Sequence, residues 1–284
     1  MLLTVDLGNY NVKTSEGVIF SSKFTTTNLN FDEDNEFIIE FEGTKYYMER
    51  GTFDKEFNKK DKNYIPLLLA AVYKSIKVST NTIDLVLGVP ASQIASKEEF
   101  IKELEGKTFY YNANGKEKSI YFRRVAVVKE GFSAFYTLSR EEREQRSLII
   151  DIGSRTINAS SFINKKCEKS VTIPIGVLNL YEIIKERENN KGSNLKVEEI
   201  EDLIGTHFIG DVSQEKNDFL KQVLNELKLN FNTKLYNVYF CGGGTVVLEK
   251  NIKSKITRAK IMDNPLFSNV IGNKNIAKAK WGED

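Results

Sequence analysis

The chain has 284 residues, a length that suits two domains of ordinary size. Hydrophobic residues make up 40% and charged residues of both signs 28%, which allows packed cores and excludes wholesale disorder. The net charge of +2, from 41 basic and 39 acidic residues, does not point to nucleic acid or an anionic membrane. Two cysteines and one histidine leave little for a zinc or haem site and predict a reduced, cytoplasmic protein. No apolar run approaches the length of about 18 residues that a membrane-spanning helix needs.

The first quarter of the chain predicts strands followed by a helix. Residues 2–7 form an unbroken apolar run, which predicts a strand buried on both faces, and GNYN predicts the turn into a second strand at 12–20. Apolar and charged residues alternate over residues 31–49 around Glu42-Gly43, a pattern that predicts a hairpin. Apolar residues at helical spacing predict a helix over residues 63–77, with Pro66 in its first turn.

The next predicted elements lead to a domain boundary. A strand is predicted at 82–90, and residues 96–106 predict a short helix capped by Ser96 and stopped by Gly106. Residues 107–131 predict a second hairpin, turned at Asn114-Gly115, and residues 131–145 a helix. The polar run at the end of this helix, residues 139–146, is the predicted boundary.

The second half continues the alternation of strands and helices. Strands are predicted at 147–152, 157–163 and 166–176, and helices at 177–190, 196–206 and 213–231. Residues 237–248 predict a strand, a glycine turn and the start of a helix, followed by a strand at 253–261 and a closing helix around 275–281. This alternation indicates the α/β class.

The two halves begin with the same pattern. LLTVDLGNYNVKTS at residues 2–15 aligns with SLIIDIGSRTINAS at residues 147–160, so that Asp6 lies over Asp151 and Gly8 over Gly153. A glycine just after a buried strand allows a tight turn whose N–H groups can point at an anion. A carboxylate at the strand tip can hold Mg²⁺ through water, and the metal can bridge to phosphate.

One copy of this pattern by itself is better explained as a strand that ends in an Asp-containing turn. The second copy favours two similar domains that clamp one nucleotide between them. The copies also differ in charge, because Lys13 in the first is matched by Asn158 in the second. One hairpin therefore supplies the phosphate-binding cation and the other does not, as a divided phosphate site requires.

Two further motifs fit the same site. Gly242–Gly244 in CGGGTVVL directly follow a predicted buried strand, where the absence of side chains suits close approach to a base and ribose. Glu130 in VVKEGFSAF lies at a strand end, where it could orient the water that attacks a γ-phosphate. The alternatives are a glycine-rich turn and an acid that stabilises a helix N-terminus.

Together these motifs resemble the actin-like ATPase superfamily, and in particular the ParM-type plasmid-segregation actins. DLGNYNVK resembles its first phosphate loop, DIGSRTINAS its second, CGGGTVVL its adenosine motif, and VVKEGFSAF the segment with its catalytic acid. DNPLFSNVIGNKNIAKAK resembles the closing segment of bacterial actins. The resemblance implies an α/β, duplicated ribonuclease H-like fold with two domains around a nucleotide cleft. Domain I would comprise residues 1–140, with an inserted subdomain at about 17–77, domain II residues 147–264, and residues 265–284 would return to domain I.

The resemblance also implies a role for each motif residue. Asp6 and Asp151 would hold the hydrated Mg²⁺, and Glu130 would act with Asp151 as a catalytic residue by positioning the attacking water. ATP or ADP would be bound by Gly8, Asn9, Tyr10, Asn11 and Lys13 in the first loop, by Gly153, Ser154, Arg155 and Thr156 in the second, and by Gly242, Gly243, Gly244 and Thr245 in the adenosine motif. Adenine contacts are expected in the region of Lys196–Gly205.

The function implied by the resemblance is a hydrolase of ATP or GTP coupled to head-to-tail polymerisation in the cytoplasm. The filament would segregate plasmid DNA, which it would contact only through a ParR-type DNA-binding adaptor, and no membrane partner is expected. The alternative is a small-molecule kinase of the same superfamily, because LLTVDLGNYNVK also resembles the opening of type III pantothenate kinases. The sequence lacks a Gly-Gly-Arg run for the substrate of such a kinase, which favours the filament-forming protein.

Overall fold

The structure, a computed structural model, describes residues 1–28, 36–56, 58–76 and 81–282. These residues form two compact units. The first unit comprises Met1–Thr137 together with the chain from Asn269 onward, and the second unit comprises Leu138–Ser268.

The first unit contains a nine-stranded sheet. Its strands are β1 Leu2–Leu7, β2 Asn11–Thr14, β3 Ile19–Ser21, β4 Phe24–Thr25, β5 Ile38–Phe41, β6 Thr44–Met48, β7 Thr82–Val89, β8 Lys107–Ala113 and β9 Lys116–Lys129, in the spatial order β3-β2-β1-β7-β9-β8-β5-β6-β4. Two helices accompany these strands, α1 Ile65–Ser75 and α2 Lys97–Leu104. The apolar side of α1 packs on β1, β2 and β5, and one continuous core joins these elements.

The second unit contains a five-stranded sheet. Its strands are β10 Ser147–Ile152, β11 Ile157–Ile163, β12 Lys166–Ile173, β13 Asn237–Cys241 and β14 Ala259–Ile261, in the order β12-β11-β10-β13-β14. Its helices are α3 Arg140–Glu144, α4 Val177–Asn189, α5 Ile200–Leu203, α6 Ser213–Asn230, α7 Gly243–Val247 and α8 Glu249–Lys255. The long helices α4 and α6 pack on each other through buried apolar side chains such as Ile184 and Phe219.

The last helix, α9 Ser268–Trp281, brings the chain back to the first unit. Ala277 of α9 packs against Leu2 and Val86, whose neighbours Leu3 and Leu85 belong to the core that contains α1. Successive residues of a strand point to opposite faces, so α1 and α9 cover opposite faces of the sheet at β1 and β7.

The duplication predicted from the sequence is present in the topology. Strands β3-β2-β1-β7-β9 and β12-β11-β10-β13-β14 have the same order and the same pattern of parallel and antiparallel pairs. The register is also the same, since Asp6 pairs with Lys13 and Asp151 with Asn158. The predicted α/β class with a duplicated fold is therefore confirmed.

Most predicted elements occur close to their expected positions. The hairpin at 107–131 turns at Asn114-Gly115, where both residues have positive φ as its turn requires. The hairpin predicted at 31–49 consists of β5 and β6 around Glu42-Gly43, while its residues 31–35 lie outside the described residues. Lys77, the last residue of the predicted first helix, also lies outside them.

Four local predictions are wrong. The single strand predicted at 12–20 is two antiparallel strands, β2 and β3, because the chain turns between them at Gly17, whose φ is 79°. The 3₁₀ turn Ala91–Ser96 runs directly into α2, so Ser96 lies within a helical run instead of capping it. The helix predicted at 131–145 is divided, because the Ser139 side chain accepts a hydrogen bond from Glu142 N at 3.2 Å and starts the separate helix α3. The strand predicted at 253–261 begins only at Ala259, because buried Ile252 and the i,i+4 pair of Lys253 with Glu249 extend α8.

Two predicted helices have different lengths in the structure. The helix predicted at 196–206 is a 3₁₀ turn followed by the single-turn α5, and the closing helix begins at Ser268, seven residues before the predicted start at Asn275. Among the described residues, no helix combines the length and hydropathy needed to span a bilayer.

Candidate functional site

The first hairpin presents a buried acid at the tip of β1. Asp6 is 7% exposed and is followed by the turn that leads to β2. A Cβ atom on Gly8 would lie 2.4 Å from the carbonyl oxygen of Asn11, so this turn requires glycine. The turn is fixed further because the Ser22 hydroxyl donates to the carbonyl of Asn9 at 2.8 Å.

Lys13, Lys59 and Glu130 surround Asp6. The Lys13 ammonium donates to Asp6 Oδ2 at 3.4 Å, and the Lys59 ammonium donates to Asp6 Oδ1 at 3.2 Å. Lys59 also donates to Glu130 Oε1 at 2.5 Å. Glu130 directly follows β9 and is 8% exposed, and its backbone N–H donates to the carbonyl of Val89 at the end of β7. Two acids that are 124 positions apart in the sequence are thus joined by one buried ammonium.

Burial opposes the charge on both acids, with different results. Lys59 and Lys13 outweigh the effect of burial on Asp6 and hold its pKa below the usual value. For Glu130, burial prevails over the attraction of Lys59, repulsion by Asp6 adds to it, and the pKa is raised. The same two acids raise the pKa of Lys59 against the effect of burial. Asp6 is therefore held as a carboxylate, while Glu130 is the stronger base of the two.

The loop after Glu130 is attached to α9. The N–H of Gly131 donates to Asn269 Oδ1 at 3.0 Å, and the Ser133 hydroxyl donates to the carbonyl of Asn269 at 3.2 Å. A Cβ atom on Gly272 would lie 1.9 Å from the Ser133 carbonyl oxygen, so the helix and the loop touch at their backbones. The C-terminal helix thus fixes the position of Glu130.

A separate segment of the first unit covers the first hairpin. The ring of Phe53 lies 4.6 Å from the ring of Tyr10, centroid to centroid, and the Lys62 ammonium donates to Asn9 Oδ1. Lys59 and Lys62 belong to a short polar stretch before α1. This stretch brings two further cations to the turn.

The second hairpin is held by the start of α4. The N–H of Gly153 donates to the carbonyl of Thr156 at 2.8 Å and closes the turn. The N–H of Leu178 donates to the carbonyl of Ser154 at 2.9 Å. A Cβ atom on Gly176 would lie 2.4 Å from the carbonyl of Ser154, so only glycine allows α4 to begin this close to the hairpin. Arg155 lies within the same turn, between Ser154 and Thr156.

The glycine turn after β13 lies against Asp151. Gly242 has φ of 87° and ψ of 167°, and a Cβ atom there would lie 2.1 Å from Asp151 Oδ1. A Cβ atom on Gly244 would lie 2.3 Å from Cγ2 of Ile152, so the turn packs directly on the tip of β10. The Thr245 hydroxyl donates to the carbonyl of Cys241 at 2.5 Å, while Gly243 is the first residue of α7. Asp151 and the glycine motif therefore form one local structure.

A cavity of about 920 Å³ opens in the second unit and is lined in part by Val246 and Val247 of α7. Its lining includes Tyr181 of α4, Glu201 of α5, Lys216 and Asn217 of α6, and Asn251 of α8. Asn251 donates to Asn217 Oδ1 at 2.9 Å across one wall. The volume is in the range of small-molecule sites, about 300–1,000 Å³. Amide and charged groups beside an aromatic ring are suited to a polar heterocycle.

Two family models match consecutive parts of the chain. Residues 4–132 match the model of the N-terminal domain of actin-like proteins. Residues 149–254 match the C-terminal model of the archaeal actin homologue MreB-like proteins. The chain belongs to the actin-like ATPase superfamily. The resemblance stated from the motifs is thereby confirmed.

Solved structures of actin-like proteins have the same fold. The archaeal actin homologue Ta0583 in complex with ADP superposes with a TM-score of 0.80 at 17% identity, over 98% of this chain and 99% of that one. A 15-stranded ParM filament from Clostridium botulinum superposes with a TM-score of 0.79 at 19% identity, over 98% of this chain and 99% of that one. AlfA from the Bacillus subtilis plasmid pLS32, also solved as a filament, superposes with a TM-score of 0.67 at 16% identity, over 95% of this chain and 97% of that one. No curated protein sequence matches the chain significantly.

The residues present fit the metal and nucleotide that the superfamily implies. Asp6 and Asp151 each place a buried carboxylate at a strand tip, and Mg²⁺ prefers such oxygen ligands while it retains several waters. Lys13 adds a cation in the first unit. In the second unit, Glu201, Ile204 and Gly205 of the expected adenine region help to line the cavity.

The predicted site residues form two groups. In the first unit, Asp6, Gly8–Asn11, Lys13 and Glu130 lie around one hairpin. In the second unit, Asp151, Gly153–Thr156 and Gly242–Thr245 surround the other. Sequence reasoning missed Lys59, which joins the two acids of the first unit. Its only sequence signal is a run of lysines in EFNKKDKNYIP, and such runs are most often solvated.

Proposed function

We propose that this protein is a filament-forming, actin-like nucleotide hydrolase that segregates plasmid DNA through a ParR-type adaptor in the cytoplasm. The observation that carries the proposal is the pair of strand-tip acids, Asp6 and Asp151, in hairpins of identical register. In the first, Lys13 is paired with the acid and Glu130 lies nearby. In the second, the glycine turn packs against the acid.

In the proposed complex, both hairpins bind the phosphates of one nucleotide. Asp6 and Asp151 would hold the hydrated Mg²⁺, which would neutralise phosphate charge. Lys13 and the turn at Gly8–Asn11 bind from the first unit, and Gly153–Thr156 from the second. The nucleoside extends past Gly242–Thr245 into the cavity, where Lys216 and Asn217 are available to the base. The ADP complex of Ta0583 supports nucleotide binding by this fold.

Glu130 is the proposed base for hydrolysis. Its raised pKa makes it a better proton acceptor than Asp6, whose low pKa suits metal binding. The bonds from α9 to Gly131 and Ser133 keep the carboxylate in place for the attacking water. This division of roles between two neighbouring acids follows the general rule that environments separate their pKa values.

Polymerisation is proposed from the relatives. The ParM of Clostridium botulinum and AlfA of plasmid pLS32 were both solved as filaments. A head-to-tail contact between copies of one chain gives an open polymer. In the proposed cycle, nucleotide binding favours the assembling conformation and hydrolysis weakens the contact. Plasmid DNA is linked to the filament end by the adaptor and is moved by elongation of the filament.

Light scattering and pelleting test the proposal. Mg²⁺ with ATP or GTP should raise the scattering, which should decay as the nucleotide is consumed, whereas a non-hydrolysable analogue should give lasting polymer. A purified adaptor bound to its DNA site should slow the decay. Absence of polymer with every nucleotide, together with ADP release that depends on pantothenate or a sugar, would contradict the proposal.

A further inference from the structure

Lys59 is a buried lysine whose ammonium contacts three oxygens. It is 4% exposed and donates to Asp6 Oδ1 at 3.2 Å, to the carbonyl of Gly88 at 3.1 Å and to Glu130 Oε1 at 2.5 Å. An ammonium has three protons, so its donor capacity is used completely. Two carboxylates and a main-chain carbonyl that converge on one point are also the donors that hard divalent cations prefer. The lysine therefore occupies a cation position.

The backbone of Lys59 is fixed beside this position. Its backbone N–H donates to Gln93 Oε1 at 2.9 Å, and Lys59 is the first residue of the 3₁₀ turn Lys59–Asp61 that precedes α1. Rotation of the side chain is therefore sufficient to withdraw the ammonium from the acids. The adjacent Lys60 points elsewhere, since it bonds Glu103. Of the two neighbouring lysines, Lys59 therefore bridges Asp6 and Glu130, whereas Lys60 does not contact either acid.

The charges of this cluster balance. Asp6 and Glu130 supply two negative charges, and Lys59 and Lys13 supply two positive charges. Lys13 contacts Asp6, whereas Lys59 contacts both acids. Removal of the Lys59 charge would leave a buried pair of acids with a net negative charge, and such a pair attracts a cation strongly at low dielectric.

We propose that Lys59 is a built-in counter-cation that prevents Asp6 and Glu130 from capturing a free divalent cation, so that metal enters the site only together with the nucleotide. The inference rests on the proposed nucleotide site. The negative charge of a triphosphate can pair with the Lys59 ammonium in place of Asp6. Asp6 is then available to the hydrated metal. A free metal ion brings no such charge and must compete directly with the lysine.

Binding of Mn²⁺ alone to nucleotide-free protein, followed by electron paramagnetic resonance, tests the inference. The wild-type protein should bind Mn²⁺ no more tightly than in the millimolar range. Lys59→Met should bind one Mn²⁺ more tightly than the wild type by about tenfold or more, because a charge at about 4 Å is removed. Lys60→Met is the matched control and should behave as the wild type. In the double variant Lys59→Met/Glu130→Gln, the gain should disappear.

Three results would overturn the inference. They are Lys59→Met binding Mn²⁺ no better than wild type, Lys60→Met showing the same gain, and micromolar Mn²⁺ binding by the wild type itself. If Lys59→Met does not fold, Lys59→Gln is used in its place, because the glutamine amide retains a hydrogen-bond donor for the Gly88 carbonyl. The measurement on the wild-type protein is unaffected and still tests the inference. The assay contains no nucleotide and no polymer, so its outcome is distinguishable from failure of the proposed function.

Discussion

Replacement of Gly242 by alanine tests whether the glycine turn fixes Asp151. The new Cβ atom would lie 2.1 Å from Asp151 Oδ1 and 2.5 Å from the carbonyl of Ile152. The backbone at φ 87° and ψ 167° is in a region that essentially only glycine adopts, at a cost of about 1–3 kcal/mol for other residues. Overpacking adds about 1–3 kcal/mol. We expect Gly242→Ala to lower the free energy of unfolding of the second unit by about 4 kcal/mol.

Urea unfolding measures this loss. The single tryptophan, Trp281, lies in the first unit, so its fluorescence follows that unit. Far-ultraviolet circular dichroism follows both units, and the loss should appear in the dichroism transition and not in the fluorescence. Gly210→Ala is the control, because Gly210 is in the same unit and a Cβ atom there would have no neighbour within 4 Å. The free energy of unfolding of the control should agree with that of the wild type within about 0.5 kcal/mol. If Gly242→Ala is as stable as the control, the close contact between the turn and Asp151 is refuted.

Three further substitutions test other parts of the account. Glu130→Gln should still bind nucleotide and assemble but hydrolyse more slowly by about 10²–10⁴-fold, and hydrolysis at the normal rate would remove Glu130 from its role. Gly272→Ala, with its Cβ atom 1.9 Å from the Ser133 carbonyl, should destabilise the first unit by about 1–3 kcal/mol in Trp281 fluorescence, and an unchanged transition would contradict the backbone contact. Asp84→Asn should lower the free energy of unfolding by about 2 kcal/mol at neutral pH, because it removes the ion pairs of buried Asp84 with Arg123 and Arg124. The loss is moderate because the two arginines are partly exposed.

The Asp84 prediction also has a pH dependence. Arg123 and Arg124 overcome the effect of burial and hold the pKa of Asp84 well below its usual value. A carboxyl group with a lowered pKa in the folded state stabilises the protein above its unfolded pKa of about 3.9 and loses this contribution as the pH falls below it. The difference in stability between wild type and Asp84→Asn should therefore shrink below about pH 4. A difference that is constant down to about pH 2 would contradict this assignment.

The sequence predicts those features that local patterns encode. The strand, acid and glycine of each hairpin are consecutive in the chain, so the alignment of Asp6 with Asp151 could be read directly, and both acids pair in the same register. The Asn114-Gly115 turn follows from its two residues alone. Such features need no knowledge of distant contacts.

The contacts that the sequence did not predict are distant or compete with local preference. Lys59 is 53 positions from Asp6 and 71 from Glu130, so its role depends on how the sheet brings these segments together. Asn269 reaches Gly131 across 138 positions. Lys253–Lys255 read as part of a strand, but burial of Ile252 extends α8 through them. Tertiary packing decides each of these cases.

Calorimetric titration with Mg²⁺ and a non-hydrolysable ATP analogue tests the central claim most directly. If both hairpins serve one nucleotide, the wild type binds one molecule per chain, and Asp6→Asn and Asp151→Asn each weaken binding by about tenfold or more, equivalent to about 1.4 kcal/mol. Two nucleotides per chain, or wild-type affinity in either variant, would contradict the claim.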